Sequence, residues 1–143
     1  MHDIESLFES YKNAVLHRDV EAFISIFDED LRVFDMWEWE YNGLAPWRNM
    51  VGGWFSFVDA SEKIVVAFED IRINAAGEMA VASAFARFSS VSGSGEELRH
   101  LYNRFTWVAQ KKQGQWKIIH EHTSGPADHK TLKVALQRPA AGS

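Results

Sequence analysis

From Glu62 to Pro126 the chain reads as four long strands in succession, and this run limits the possible folds more than any other feature. Alternation of apolar and polar residues predicts strands at 63–73, 79–91, 98–110 and 115–124. Turn signals separate them: Asn74-Ala75-Ala76-Gly77, then Ser92-Gly93-Ser94-Gly95, then Lys112-Gln113-Gly114. Connections this short join antiparallel neighbours. In the second strand Ala80, Ala82, Ala84, Ala86 and Phe88 form one apolar row, while Val81, Phe85 and Val91 stand on the other side. Both faces of that strand are expected to be buried. Helices cover one face; a second copy of the chain covers the other, which predicts a homodimer. A tail or loop over that face is the alternative.

Before the strands the periodicity is helical. Ile4, Leu7, Phe8, Tyr11 and Val15 make an apolar stripe over residues 3–17, with Asp3 as N-cap. Asp19 caps a short second helix carrying Phe23, Ile26 and Phe27, and Asp28-Glu29-Asp30 reads as a polar turn. Leu31 to Tyr41 then alternates as a first strand, ended by Asn42-Gly43. Pro46 opens a third helix with the stripe Trp47, Val51, Trp54, Phe55 and Val58. Helices grouped before strands give an α+β domain, with the helices on one face of the sheet. One domain spans residues 1–126, and 127–143 carry little pattern and read as a mobile C-terminal tail.

Composition excludes several functions. A hydrophobic content of 46% is that of a folded chain, and a net charge of −5 without a basic run gives nucleic acid no electrostatic footing. Cysteine is absent, so neither a disulfide framework nor a thiol nucleophile is available. The acidic start Met1-His2-Asp3-Ile4-Glu5 has no signal-peptide character, and no apolar run is long enough to cross a membrane. The expected location is the cytoplasm. Six Trp among 13% aromatic residues point to large side chains around a core or cavity.

Asp35 is the most informative residue. It shares the first-strand row with Leu31, Val33, Trp37 and Trp39. A carboxylate in an apolar row has its pKa raised by desolvation, which suits a general base; pairing with an Arg, or a bulge that turns it outward, is the structural alternative. Tyr11 on the first-helix stripe needs a partner for its phenol, which a polar ligand would supply. In the last strand Trp116, Ile118, His120 and His122 fall on one face by alternation, with Lys117 and Glu121 on the other. The two imidazoles are therefore expected in the cavity as acid/base or hydrogen-bonding groups, or as core or interface residues. They would bind metal only with a third ligand, for which Asp35 and His100 are the candidates. In the third long strand Arg104 pairs with Asp35 or Glu121, or anchors an anionic ligand group. Trp37, Trp39 and Trp54 are candidate pocket walls. Phosphate-loop and Gly-x-Ser-x-Gly motifs are missing.

Two segments carry a family resemblance. Tyr11 to Asp35, with Ala14-Val15, Asp19-Val20 and Ile26-Phe27 between them, resembles the opening of ketosteroid isomerases. Gly114-Gln115-Trp116-Lys117-Ile118-Ile119-His120-Glu121-His122-Thr123-Ser124-Gly125-Pro126 resembles the closing strand of SnoaL-like proteins, and is also similar to the end of the calcium/calmodulin-dependent kinase II association domain. Both belong to the nuclear transport factor 2-like superfamily. The resemblance implies a cone-shaped, curved antiparallel sheet whose concave face takes three N-terminal helices and encloses a pocket. It also implies Asp35 as the base and Tyr11 as the oxyanion donor, with no cofactor. The isomerases add a second, protonated acid from a late strand. The strand at 98–110 has no acid beyond its start, which leaves Asn103, His120 or His122 to donate.

These features predict cofactor-free acid/base chemistry on a small cyclic or aromatic carbonyl compound. The expected assignments are Asp35 as base, Tyr11 and His122 as donors, and Trp37, Trp39, Trp54, Asn103, Arg104 and His120 around the ligand. The alternative is a ligand-binding or oligomerisation domain without turnover.

Overall fold

The computed structural model describes residues 3–139. Within them lie α1 (Ile4–Leu16), α2 (Val20–Ile24), β1 (Phe27–Phe34), β2 (Tyr41–Asn42), α3 (Leu44–Phe57), β3 (Lys63–Ala76), β4 (Met79–Val91), β5 (Glu97–Lys112) and β6 (Gln115–Ser124). The strands form one open sheet in the order β2-β1-β6-β5-β4-β3. The four late strands pair antiparallel as expected, and β1 joins β6 in parallel, so the sheet is mixed.

Local chemistry accounts for the helix starts. Asp3 and Asp19 accept the backbone N–H of Ser6 and Ala22, each at 3.0 Å, and so fill two of the orphan donors of α1 and α2. Gly43, at φ 89°, makes the turn into α3 that a side chain would strain. At the turn after α1, the Arg18 guanidinium donates to the backbone carbonyls of Val58, Asp59 and Glu62. That cation ties the end of α3 to the α1–α2 corner.

The helices pack on one face of the sheet, and most of the buried aromatic mass lies between. Phe8 of α1 stacks on Trp107 of β5 at 4.4 Å between ring centroids and meets Phe68 of β3 edge-on at 4.8 Å. Ala80, Ala82, Ala84 and Ala86 are all buried on this inner face. On the opposite row of β4, Val81 is 46% exposed in the single chain. A bulge centred on Asp70, at φ 53°, keeps β3 in phase with the core, so that Phe68 before it and Ile73 after it both reach inward.

The first strand departs from expectation at both ends. The acidic triplet Asp28-Glu29-Asp30 is inside β1 rather than in a turn, and buried Asp28 pairs with Lys112 at 3.2 Å. The strand stops at Phe34 instead of running to Tyr41. Asp35 takes the backbone N–H of Trp37 on its own carboxylate at 3.0 Å, an Asx-type turn that competes with the ladder. Tyr41 and Asn42 then fold back antiparallel on Val33 and Arg32.

The C-terminal segment is tied down rather than loose. Ala135 donates to the Pro126 carbonyl at 2.9 Å, and Leu136 accepts from Tyr102 of β5 at 2.7 Å. Arg138 pairs with Glu69 at 2.7 Å and lies 3.9 Å from the centre of the Phe85 ring. Residues 140–143 of the expected tail, and Met1-His2 of the start, lie outside the described residues. Among the described residues no helix is long and apolar enough to cross a membrane.

Candidate functional site

Between the helices and the inner face of the sheet lies a cavity of about 880 Å³. Its walls are apolar: Trp47 and Trp54 from α3, Phe88 from β4, and Phe105 from β5. Polar residues line it too: Tyr11, Asp35, Asn103, Glu121 and Thr123, and besides them Asp59, Glu62, Ser89, Ser90, Arg99 and His100. A predominantly apolar hollow with convergent polar groups is the usual form of a small-molecule site.

A single irregularity in β6 decides which of these groups are present. Ile118 pairs with Ala109, yet His120 pairs with the next residue, Val108, so Ile119 is an extra residue opposite nothing. Such a bulge reverses the side-chain alternation beyond it. Ile118 faces the core, and after the bulge it is Glu121 and Thr123 that face inward, opposite Trp107 and Phe105.

Glu121 is 1% exposed, and the indole N–H of Trp107 donates to its Oε1 at 2.8 Å. Burial pushes its pKa up to about 8; the Trp107 bond opposes the rise, and the Asp35 charge adds to it. At neutral pH it is therefore predominantly a neutral acid with a proton to donate. Asp35, half-buried, also has a raised pKa, chiefly from desolvation. The Trp37 N–H and the Thr123 hydroxyl, 3.4 Å away, favour its ionised form, and nearby Glu38 disfavours it. Tyr11 is buried, and its phenol is held well above its ordinary pKa by burial and then by the Glu121 and Asp35 charges. It stays protonated and able to donate. Two buried polar atoms of this wall have no hydrogen-bond partner among the described residues: Nε1 of Trp47 and Oδ1 of Asn103.

The sequence-derived candidates are thus divided. Tyr11, Asp35, Trp37, Trp54 and Asn103 line the cavity. Trp39 does not; it is 92% exposed, because the Asx-type turn at Asp35 ends the strand on which its parity rested. Arg104 is on the outer face, where its Nε donates to the Ser124 hydroxyl at 3.1 Å, and it pairs with neither Asp35 nor Glu121. His120 and His122 also point away from the cavity, as a consequence of the bulge. His120 Nδ1 lies 2.8 Å from the Arg32 carbonyl, and His122 is exposed. A second, outer cleft of about 740 Å³ holds His122, Trp39 and Phe34, with Asp35, Trp37 and Thr123 on the wall between the two hollows. Among the described residues no group of three His, Asp or Glu is placed to hold a metal ion.

Strict alternation assigned Glu121 to the outer face and so missed the fully buried acid of the cavity. The signal that would have found it is the pair Ile118-Ile119. Two consecutive apolar residues in a strand with one buried face mark a change of phase.

The model of the SnoaL-like domain family matches residues 4–128 of the chain. A comparison with curated proteins finds no match. Among solved structures, a nuclear transport factor 2-like protein of unknown function from Pseudomonas putida superposes with a TM-score of 0.82 at 26% identity, over 95% of this chain and 94% of its own. A protein of that superfamily from Salmonella enterica gives 0.73 at 21% identity, over 88% and 90%. A protein from Streptomyces avermitilis, provisionally named a dehydratase of the same family, gives 0.71 at 14% identity, over 85% and 92%. The last two likenesses are of fold alone.

Proposed function

The chain belongs to the SnoaL-like domain family, and from that premise we propose that its cavity performs cofactor-free proton transfer on a small cyclic or aromatic carbonyl compound. The observation that carries this reading is the pair of carboxyl groups, Asp35 and Glu121, in one apolar hollow. Their environments differ in depth. Glu121 is enclosed and holds its proton to about pH 8, while Asp35 is held by the Trp37 N–H and Thr123 on a shared wall. Two carboxyls pushed to different affinities divide the labour between acid and base.

In the proposed step Asp35 takes the proton from the carbon next to the carbonyl. As the C–H bond breaks, its electrons form the C=C of an enolate and the carbonyl oxygen becomes negative. The Tyr11 hydroxyl and the Glu121 carboxylic acid donate hydrogen bonds to that oxygen. Protonated Asp35 then returns the proton to the same carbon or to another. Trp54, Phe88 and Phe105 exclude water, which strengthens each of these interactions.

The test needs no natural substrate. A cyclohexanone bearing a para-hydroxyphenyl group across the ring is placed in deuterated water, and loss of its α-proton signals is followed by NMR. Wild type is expected to accelerate exchange, and Asp35→Asn to lower that rate about 10²- to 10⁴-fold. Equal rates for the two proteins would overturn the reading.

The same reading includes a homodimer formed through the outer face of β3 and β4, where Val81, Val65 and Met79 are 46%, 42% and 40% exposed. Light scattering that gives a monomer mass at micromolar concentration would remove this part.

A further inference from the structure

The amide of Asn103 makes an unusual demand on whatever enters the cavity. Asn103 is buried at 8% exposure, and its Nδ2 donates to the Met36 sulfur at 3.2 Å. Met36 is itself held in place, because its backbone N–H donates to the Thr123 hydroxyl at 2.9 Å. One of the two N–H groups of the amide is therefore engaged. Its acceptor, Oδ1, has no partner among the described residues. Leaving a buried carbonyl oxygen unpaired is costly, and native proteins rarely do so without a bound group to satisfy it.

The position of Asn103 along β5 gives the demand a direction. Trp107, Phe105 and Asn103 succeed one another on the inner face, roughly 7 Å apart at each step. Trp107 stands opposite Glu121, and Phe105 opposite Thr123, which contacts Asp35. The acid donor, the base and the unpaired acceptor thus follow in line, with Asp35 in the middle and Asn103 towards Leu101 and Arg99 of the wall.

We infer that Asn103 is a specificity-determining residue, and that the substrate class is a hydroxylated carbonyl compound. Such a molecule puts its carbonyl at the Tyr11–Glu121 end and donates a hydroxyl proton to Asn103 Oδ1 at the other end. This orientation rests on the proton-transfer reading above; the need for a donor does not. Asn103 acts here as an acceptor, where the resemblance to the isomerases had implied a donor. A methoxy group in the same place offers no proton and leaves Oδ1 unpaired.

The experiment compares the dissociation constants of three arylcyclohexanones, carrying para-hydroxyphenyl, para-methoxyphenyl and plain phenyl groups, by titration calorimetry. Wild type should bind the hydroxyl compound about tenfold more tightly than either of the others. Asn103→Leu should reduce that preference to near unity, and Asn103→Asp, which keeps an acceptor, should retain it. No preference in wild type, or an undiminished one in Asn103→Leu, would overturn the inference. If Asn103→Leu does not fold, the wild-type series alone decides. α-Proton exchange on the same compounds separates the two ideas. Exchange that persists without a hydroxyl preference sinks the role of Asn103 and leaves Asp35 as base. A hydroxyl preference without exchange does the opposite.

Discussion

Strand β6 carries two sets of polar side chains one residue apart, and they end in opposite environments. Glu121 and Thr123 are buried in the cavity wall, while His120 and His122 stand on the outer side, one against a backbone carbonyl and the other exposed. Residue type does not explain the difference, since an imidazole is cheaper to bury than a carboxylate. The extra residue at Ile119 explains it, and the lesson is that in a sheet with one buried face the phase of the strand overrides the preference of the individual side chain. The cost of that override is then stored at Glu121 as a raised pKa.

The comparison can be broken outright by inserting one alanine between His120 and Glu121. The extra residue would force either Glu121 and Thr123 out of the cavity and His122 towards it, or a slip of the β1–β6 pairing. The expected outcome is loss of cooperative thermal unfolding. A variant that still melts cooperatively and keeps Glu121 buried would show that strand phase does not place Glu121.

Substituting Glu121 by Gln tests the inner side. The amide oxygen still accepts from Trp107, but it cannot ionise. The wild-type group has a folded-state pKa of about 8, above its ordinary 4.5, so the native state binds more protons than the unfolded state between those values. Its contribution to stability is complete below about pH 4.5 and is lost as pH rises through about 8. Glu121→Gln should therefore gain on wild type as pH rises across this window, by on the order of a few kcal/mol at the upper end. Paired thermal melts read this directly, and a constant difference across the window would contradict it. In the exchange assay the same variant should be slower, because an amide is a weaker donor to the enolate than a carboxylic acid.

Wild-type exchange should itself fall above about pH 8, where Glu121 loses its proton, while Glu121→Gln should show no such fall. Matching alkaline limbs in both proteins would assign the titration to another group.

The outer side should respond least. His122→Ala is expected to change stability by no more than about 0.5 kcal/mol and to leave exchange unaltered, as for most exposed positions away from special contacts. A loss of tenfold or more in exchange would mean that His122 reaches Asp35 across the outer cleft they share.

Much of the architecture was legible in order and spacing. Strand ends predicted from turn signals fall within about three residues of β3 to β6, and both Asp caps start the helices expected of them. These features are local, set by periodicity and by side chains bonding to their own backbone. Tyr11, Asp35, Trp54 and Asn103 were also found from local pattern, since each lies on, or directly after, an element whose phase holds up to that point. Trp39, Arg104, His120 and His122 were not. Trp39 follows a turn that only the Asp35 carboxylate creates, and both His follow the bulge at Ile119. Arg104 held the outer position that its row assigns it, and only the folded sheet decided which row was outer.

The amino-acid order alone therefore determined α1, α3 and the four late strands, and that an acid and a phenol lie in apolar rows. Tertiary pairing decided which face of β6 closes the cavity, because one unpaired residue shifts every later side chain by half a period and only the neighbouring strand registers the shift. It also left Asn103 Oδ1 without a partner, because a hydrogen bond is settled by what stands opposite, and that residue can be anywhere in the chain.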